Sequence, residues 1–140
     1  MNSQQIISLI SQIREKANRF IIREMSLRQM EGLVTSHGDI LVALFNHATL
    51  PMSELARIIS REKPTVTVLV DKLVSMGYVK KTRDPEDSRF TLVSLTPVGQ
   101  ALKPDFEDIS KKLLANVYRG ITEDEKEVLI DILVRIKNNL

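Results

Sequence analysis

The segment SELARIISREKPTVTVLVDKLVSMGYVKKTRDPEDSRFTLVSLT, residues 53–96, decides the fold. Its first part predicts a short helix, because apolar residues recur at three- and four-residue steps; the predicted inward residues are Leu55, Ile58 and Ile59. After a tight connection, a second helix is predicted with Pro64 at its first position. Its predicted inward residues are Val66, Leu69, Val70, Leu73 and Val74. Gly77 is typical of a left-handed helix end.

A β-hairpin is predicted directly after these two helices. YVKKT, residues 78–82, and FTLVSL, residues 90–95, are β-prone and flank a charged tip. The carboxylates of this tip would repel the phosphates of a nucleic acid, so they need another role. We therefore expect Asp87 to hold Arg89 by a charge-assisted hydrogen bond. A solvated turn explains the same residues, since Pro85 and Asp87 also suit a turn for local reasons. A short helix, a tight connection and a second amphipathic helix together resemble a helix-turn-helix.

Two helices are predicted before this segment. One runs from Ser3 to about Met25, and the other from Ser36 to about His47. Ser36 and Asp39 have the spacing of a capping box, and HATLP, residues 47–51, is predicted to be a connection.

Two more helices are predicted after the segment. Thr96-Pro97 begins the first, whose start is expected to be ragged or bent because of Gly99 and Pro104. Residues 122–125 form a capping box for the last helix. That helix carries an apolar stripe of Leu129, Ile132, Leu133, Ile136 and Leu140.

The predicted fold is mainly α with a small β-hairpin wing, in one domain spanning residues 1–140. Within it, residues of about 36–96 would form a winged helix-turn-helix lobe. Residues of about 1–30 and 97–140 would form a helical lobe.

Composition excludes several classes of function. The chain has no cysteine, which rules out disulfides and thiol chemistry. His37 and His47 are the only histidines, and no catalytic or metal-binding spacing surrounds them, so we expect neither an enzyme, a metal site nor a cofactor. No apolar run approaches the ~20 residues of a membrane span, and no signal peptide is recognised, so a cytoplasmic protein without membrane contact is expected.

Positive charge is concentrated in the middle of the chain. Between Arg57 and Arg83 there are seven Lys or Arg residues and two acidic ones, although the net charge of the whole chain is only +2. Such a stretch indicates a face for an anionic partner, and a solvated basic surface explains it as well.

The outward face of the second helix carries short or basic side chains, which would let it enter a major groove. An exposed Val68 could touch a thymine methyl group there, and Arg89 in the wing could enter the minor groove. An ordinary amphipathic helix with a polar outer face fits the same pattern.

The segment resembles the winged helix-turn-helix of the MarR family of bacterial transcriptional regulators. The resemblance is carried by SELA (53–56), KPTVT (63–67), LVDKL (69–73) and the wing signature Asp87-Ser88-Arg89, five residues, Leu95-Thr96, with Gly99 beyond. Position 68 departs from the family, where a polar or basic residue is common. The resemblance implies binding to double-stranded DNA through Ser53, Lys63, Pro64, Thr65, Thr67, Val68, Lys72, Lys81, Arg83, Asp87 and Arg89.

The resemblance also implies a homodimer formed by the terminal helices, acting on a pseudo-palindromic operator as a repressor. It implies a small aromatic or anionic effector, which Arg14, Arg19, Arg23 and Arg28 could meet, although a solvated helix face explains those arginines equally. The alternative function is a winged helix that binds protein and not DNA. Basic residues at positions 63, 72, 80, 81 and 89 favour DNA.

Overall fold

The computed structural model describes all 140 residues. A 3₁₀ turn at Ser3–Gln5 precedes seven helices and three short strands. In chain order these are α1 (Ile6–Leu27), α2 (Thr35–His47), β1 (Thr49–Pro51), α3 (Met52–Ile59), α4 (Lys63–Ser75), β2 (Val79–Arg83), β3 (Thr91–Leu95), α5 (Pro97–Gln100), α6 (Lys103–Val117) and α7 (Glu123–Asn138). The predicted order of helices and the hairpin is confirmed. No helix is long and apolar enough to cross a membrane.

The sheet has one strand more than predicted. Its order is β1-β3-β2, with both pairs antiparallel. The predicted HATLP connection was therefore wrong in part, because Thr49–Pro51 pairs with β3. Leu50 lies opposite Val93, and both are buried in the core. A three-residue strand is too short to show an alternating pattern, and Pro51 is tolerated because β1 is an edge strand.

The core lies between α2, α3, α4 and the sheet, with a few side chains from α1 and α6. Most of the predicted inward residues of α3 and α4 are buried, but Ile58 is 38% exposed and Val74 37% exposed. These two predictions were wrong because both residues lie about a quarter-turn from the centre of their helix's buried face. Ala56 is buried in α3 instead.

The start of α2 differs from the predicted capping box. The helix begins one residue earlier, and the backbone N–H of Val34 donates to Nδ1 of His37 at 2.9 Å. Ser36 does not cap the helix; its Oγ accepts a hydrogen bond from Arg61 at 3.2 Å. The buried imidazole thus takes the capping role that the Ser36–Asp39 spacing had suggested.

The return of the hairpin into the helical lobe is tightly fixed. The Thr96 hydroxyl caps α5 by accepting from the N–H of Gly99 at 3.1 Å, and it donates to the carbonyl of Gly77 at 2.5 Å. A Cβ on Gly99 would stand 1.9 Å from the carbonyl oxygen of Tyr78, so only glycine fits. The chain then breaks between α5 and α6, which confirms the predicted bend.

The terminal helices contribute little to the core of the single chain. α1 buries only Met25, and α7 buries no residue, although its capping box between Thr122 and Glu125 is formed as predicted. Arg28 at the end of α1 bonds to Glu24 at 2.6 Å and to Asp108 of α6. This ion-pair group fixes α1 against α6.

Candidate nucleic-acid interface

The exposed face of α4 is the centre of the candidate interface. Val66, Leu69, Val70 and Leu73 hold the opposite face in the core, which turns the rest of the helix outward. Val68 is 70% exposed, an unusual position for a valine in a soluble domain. Glu62 precedes the helix without capping it, and Pro64 occupies the second helical position, one later than predicted. The uncapped first turn leaves backbone N–H groups for an anion.

A cleft of about 280 Å³ joins the start of α4 to the wing. Five of the residues predicted to contact DNA line it, contributed by α3, α4, β2 and the hairpin tip. They are Ser53, Lys63, Thr67, Lys81 and Arg89. Three of the five are cations, so the cleft has the charge that a phosphate backbone needs.

The wing is the hairpin of residues 79–95, formed by β2, β3 and the tip between them. Its tip is organised around Asp87. The Asp87 carboxylate accepts three side-chain hydrogen bonds from Arg89: Nε donates to Oδ1 at 3.0 Å and to Oδ2 at 3.2 Å, and Nη2 donates to Oδ2 at 2.7 Å. It accepts a fourth from the Arg89 backbone at 3.1 Å. These bonds hold the pKa of Asp87 below its usual range. The predicted bond between the two side chains is therefore present. The guanidinium still projects outward, and the Arg89 side chain is 84% exposed.

The remaining charges of the tip serve the turn itself. Oδ1 of Asp84 accepts from the N–H of Glu86 at 2.9 Å, and the Arg83 guanidinium donates to the Ser88 carbonyl at 2.7 Å. Arg83 thus has a structural partner within the wing. Two of the three acidic side chains of the tip, Asp84 and Asp87, therefore accept backbone hydrogen bonds of the turn.

Lys72 lies on the other flank of α4, away from the cleft. Its Nζ lies 3.7 Å from the point where a Cβ of Gly32 would stand. It is also close enough to His37 to lower the pKa of that imidazole, although burial is the larger cause of the shift. Thr65 and Val68 do not line the cleft either. The cleft therefore brings together five of the predicted contacts, while Lys72 lies toward the loop before α2 and Thr65 and Val68 are exposed on α4.

Two residues of the interface escaped the sequence prediction. Asp71 on α4 accepts a hydrogen bond from Lys81 at 2.6 Å, and Phe90 lines the cleft while 46% exposed. The ten-residue separation of Asp71 and Lys81 gives no periodic signal, since they belong to a helix and a strand. An exposed aromatic beside Arg89 was the one signal that could have indicated Phe90.

Two of the four arginines that could meet an effector form ion pairs within the chain. Arg19 pairs with Glu15, and Arg28 with Glu24 and Asp108. Only Arg14 of this group lines a cavity, of about 190 Å³, together with Arg61. No cluster of three or more His, Asp or Glu side chains has the geometry to hold a metal ion.

The helices α3 and α4 are followed by a β-hairpin, and cations converge between α4 and the hairpin. This arrangement defines the winged helix-turn-helix class. The MarR family model matches residues 35–91. A Bacillus subtilis relative, the uncharacterized HTH-type transcriptional regulator YdgJ, is 34% identical over 113 residues, which span 78% of this chain and 66% of the relative. The HTH-type transcriptional regulator SarZ of Staphylococcus haemolyticus is 30% identical over 100 residues, 71% of this chain and 67% of SarZ. The chain belongs to the MarR family.

The chain matches about two thirds of the length of these relatives. Likeness of fold extends over the whole chain. The S. aureus MepR–DNA complex superposes with a TM-score of 0.87 at 20% identity, covering 100% of this chain and 99% of that one. The terminal helices as well as the wing therefore follow a known architecture.

Proposed function

We propose that this protein is a sequence-specific DNA-binding transcriptional regulator. The observation that carries the proposal is the cleft in which Lys63 of α4 and Arg89 of the wing face the same solvent space. A helix presented to the major groove and an arginine presented to the adjacent minor groove read one half-site together. The family's HTH-type regulators support the same function.

The alternative, a winged helix that binds protein, has less support. A protein-binding surface is expected to be neutral or apolar at its centre, since charged side chains are depleted at the centre of protein interfaces. Lys63, Lys72 and Arg89 are all exposed. Their common feature is a charge that favours phosphate.

We further propose that the protein acts as a homodimer. The stripe on α7 is open to solvent in the single chain: Leu129, Ile132 and Leu133 are each about two-fifths exposed. α7 buries no residue of its own, so its packing needs a second chain. Two copies would present two α4 helices to half-sites about one turn, ~34 Å, apart.

The dimer is tested by Leu133→Glu, which places a charge within the stripe. We expect sedimentation equilibrium to show a dimer for the native protein and a monomer for the variant. Asn138→Glu, on the opposite side of the same helix, is the matched control and should remain dimeric. A native protein that sediments as a monomer contradicts the proposal.

A repressor with a small effector is the fuller form of the proposal. A groove of about 500 Å³ between α2 and α6 supports it, because Phe45 and Phe106 supply aromatic walls and Lys103 and Lys111 supply charge. The two rings are 5.8 Å apart. An aromatic carboxylate matches this combination of surfaces. We expect benzoate or a hydroxybenzoate to raise the melting temperature and weaken DNA binding, and Lys111→Met to reduce both effects.

Binding-site selection tests the central function. The purified protein is mixed with fragmented genomic DNA of its source at moderate salt, and bound fragments are sequenced. We expect a pseudo-palindrome with half-sites one helical turn apart, and reduced transcription in vitro when that site overlaps a promoter. Recovery of fragments at background frequency contradicts DNA recognition, and increased transcription contradicts repression.

A further inference from the structure

The ion pair between Lys81 and Asp71 is the one direct side-chain bond between the wing and α4. Lys81 Nζ lies 2.6 Å from Oδ1 of Asp71, and both side chains are partly exposed. Side chains alternate along a strand, so Lys81 shares the face of the buried Val79 and extends toward α4. Lys80 points to the opposite face. The strand pattern therefore aims one of the two adjacent lysines at the helix.

Lys81 differs in this respect from the other lysines of the interface. Lys63, Lys72 and Lys80 form no ion pair with a carboxylate. Helical periodicity places Asp71 on the outward face of α4, between Val68 and Ser75. A carboxylate on that face repels phosphate, so it weakens DNA binding unless it has another role. Its bond to Lys81 identifies that role.

We infer that the Lys81–Asp71 ion pair sets the position of the wing relative to α4, and that Lys81 is a positioning residue and not a phosphate contact. The inference rests on the proposed DNA-binding function and revises the DNA contact expected for Lys81. Beyond Arg83, which pairs with Thr91, the hairpin tip has no strand partner. The angle at the base of the wing therefore decides where Arg89 lies relative to Lys63.

The two roles predict opposite results for one substitution. If Lys81 contacts phosphate and Asp71 merely lies nearby, Asp71→Asn removes a repulsive charge and tightens DNA binding. If the pair positions the wing, Asp71→Asn releases the wing and weakens binding, against the direction of the charge change. Whether Asp71→Asn tightens or weakens DNA binding therefore distinguishes the two roles of Lys81, whatever the size of the change.

The experiment measures operator affinity as a function of salt, with the operator taken from binding-site selection. The variants are Asp71→Asn, Lys81→Met and the exchanged pair Asp71→Lys with Lys81→Asp. Lys80→Met is the comparison variant: it removes a lysine from the same strand with no partner on α4, so any affinity that it loses reflects charge alone and should be independent of Asp71. Thermal unfolding of each variant confirms that it is folded.

We expect Asp71→Asn and Lys81→Met each to weaken operator binding about two- to fivefold, the range for one partly exposed ion pair. A further variant that combines Asp71→Asn with Lys81→Met should lose no more affinity than either single variant, and the exchanged pair should recover most of the lost affinity. The salt slope of Asp71→Asn should equal that of the native protein, because no phosphate contact is lost.

Tighter binding by Asp71→Asn, or a salt slope lowered by about one phosphate contact in Lys81→Met, overturns the inference. Failure of the exchanged pair to recover affinity overturns it as well. Failure of the proposed function looks different, since the native protein and Lys80→Met would then also lack a preferred site.

Discussion

Arg89 is bound to Asp87 through three side-chain hydrogen bonds, at 2.7 to 3.2 Å, while its side chain remains largely exposed. The carboxylate thus fixes the direction of the arginine without covering it. A side chain that is ordered before binding loses less conformational entropy when it meets a partner. In the charged tip of the wing, Arg89 is therefore placed for contact with a partner, and Asp87 holds it in that position.

Arg89→Ala should leave the fold intact and weaken operator binding by ~1–3 kcal/mol, the value of one good base-edge contact. The reason is that Arg89 bonds only within the wing and packs against no core residue. Fluorescence anisotropy with the selected operator measures the loss, and circular dichroism checks the fold. Asp87→Ala should cost less than Arg89→Ala, because it frees the arginine without removing it. Native affinity in Arg89→Ala contradicts the assignment of the wing.

Lys72→Ala should weaken binding to all DNA sequences to a similar degree. An ammonium on the flank of α4 meets phosphate, which is common to every sequence, so the slope of log affinity against log salt should fall by ~0.9. Titrations at four salt concentrations measure the slope on operator and random duplexes. Lys137→Ala, in α7, is the control and should leave the slope unchanged. A change confined to the operator would instead indicate a base contact.

Gly99→Ala should destabilise the protein by ~3 kcal/mol or more, because the added Cβ would stand 1.9 Å from the Tyr78 carbonyl and backbone would have to move. Urea unfolding followed by circular dichroism measures the loss. Gln100→Ala, at the exposed neighbouring position, should change stability by less than ~0.5 kcal/mol. Equal stabilities of the two variants would contradict the close approach of Gly99 to Tyr78.

His37 should make stability fall between pH 7 and pH 5.5. Burial, with a smaller contribution from Lys72, lowers the pKa of the folded imidazole below the ~6.5 of the unfolded chain. The unfolded state therefore binds more protons in this window, and the free energy of unfolding decreases as pH falls. Urea unfolding at several pH values measures the slope. His37→Gln should flatten it, whereas His47→Gln, at an exposed site, should not; equal slopes in the native protein and His37→Gln contradict the prediction.

The sequence predicts those parts of the fold that depend on long periodic patterns. The stripe of α4 and the strands of the hairpin each involve several residues with one repeated spacing, and both are present. β1 was missed because Leu50 is its only buried residue. Ile58 and Val74 were placed inward because an apolar side chain at the edge of a stripe has the same spacing as one at its centre.

Residues of the cleft were predicted one by one, but their arrangement in space was not. Motif spacing identified Lys63, Thr67 and Arg89, which the structure brings to one cleft. The pairing of Lys81 with Asp71 depends on how a strand crosses a helix, and linear spacing contains no such information. The same holds for His37, which is buried and accepts a hydrogen bond from the Val34 N–H at the start of α2.

The hydroxyl of Thr96 has a mechanical consequence. A single oxygen is bonded to the carbonyl of Gly77, just beyond the end of α4, and to the N–H of Gly99 in α5, where the helical lobe begins. Displacement of α5 is therefore transmitted to the end of α4 across one side chain, without passing along the wing. In the proposed dimer, a small rotation of the helical lobe would therefore change the separation of the two α4 helices.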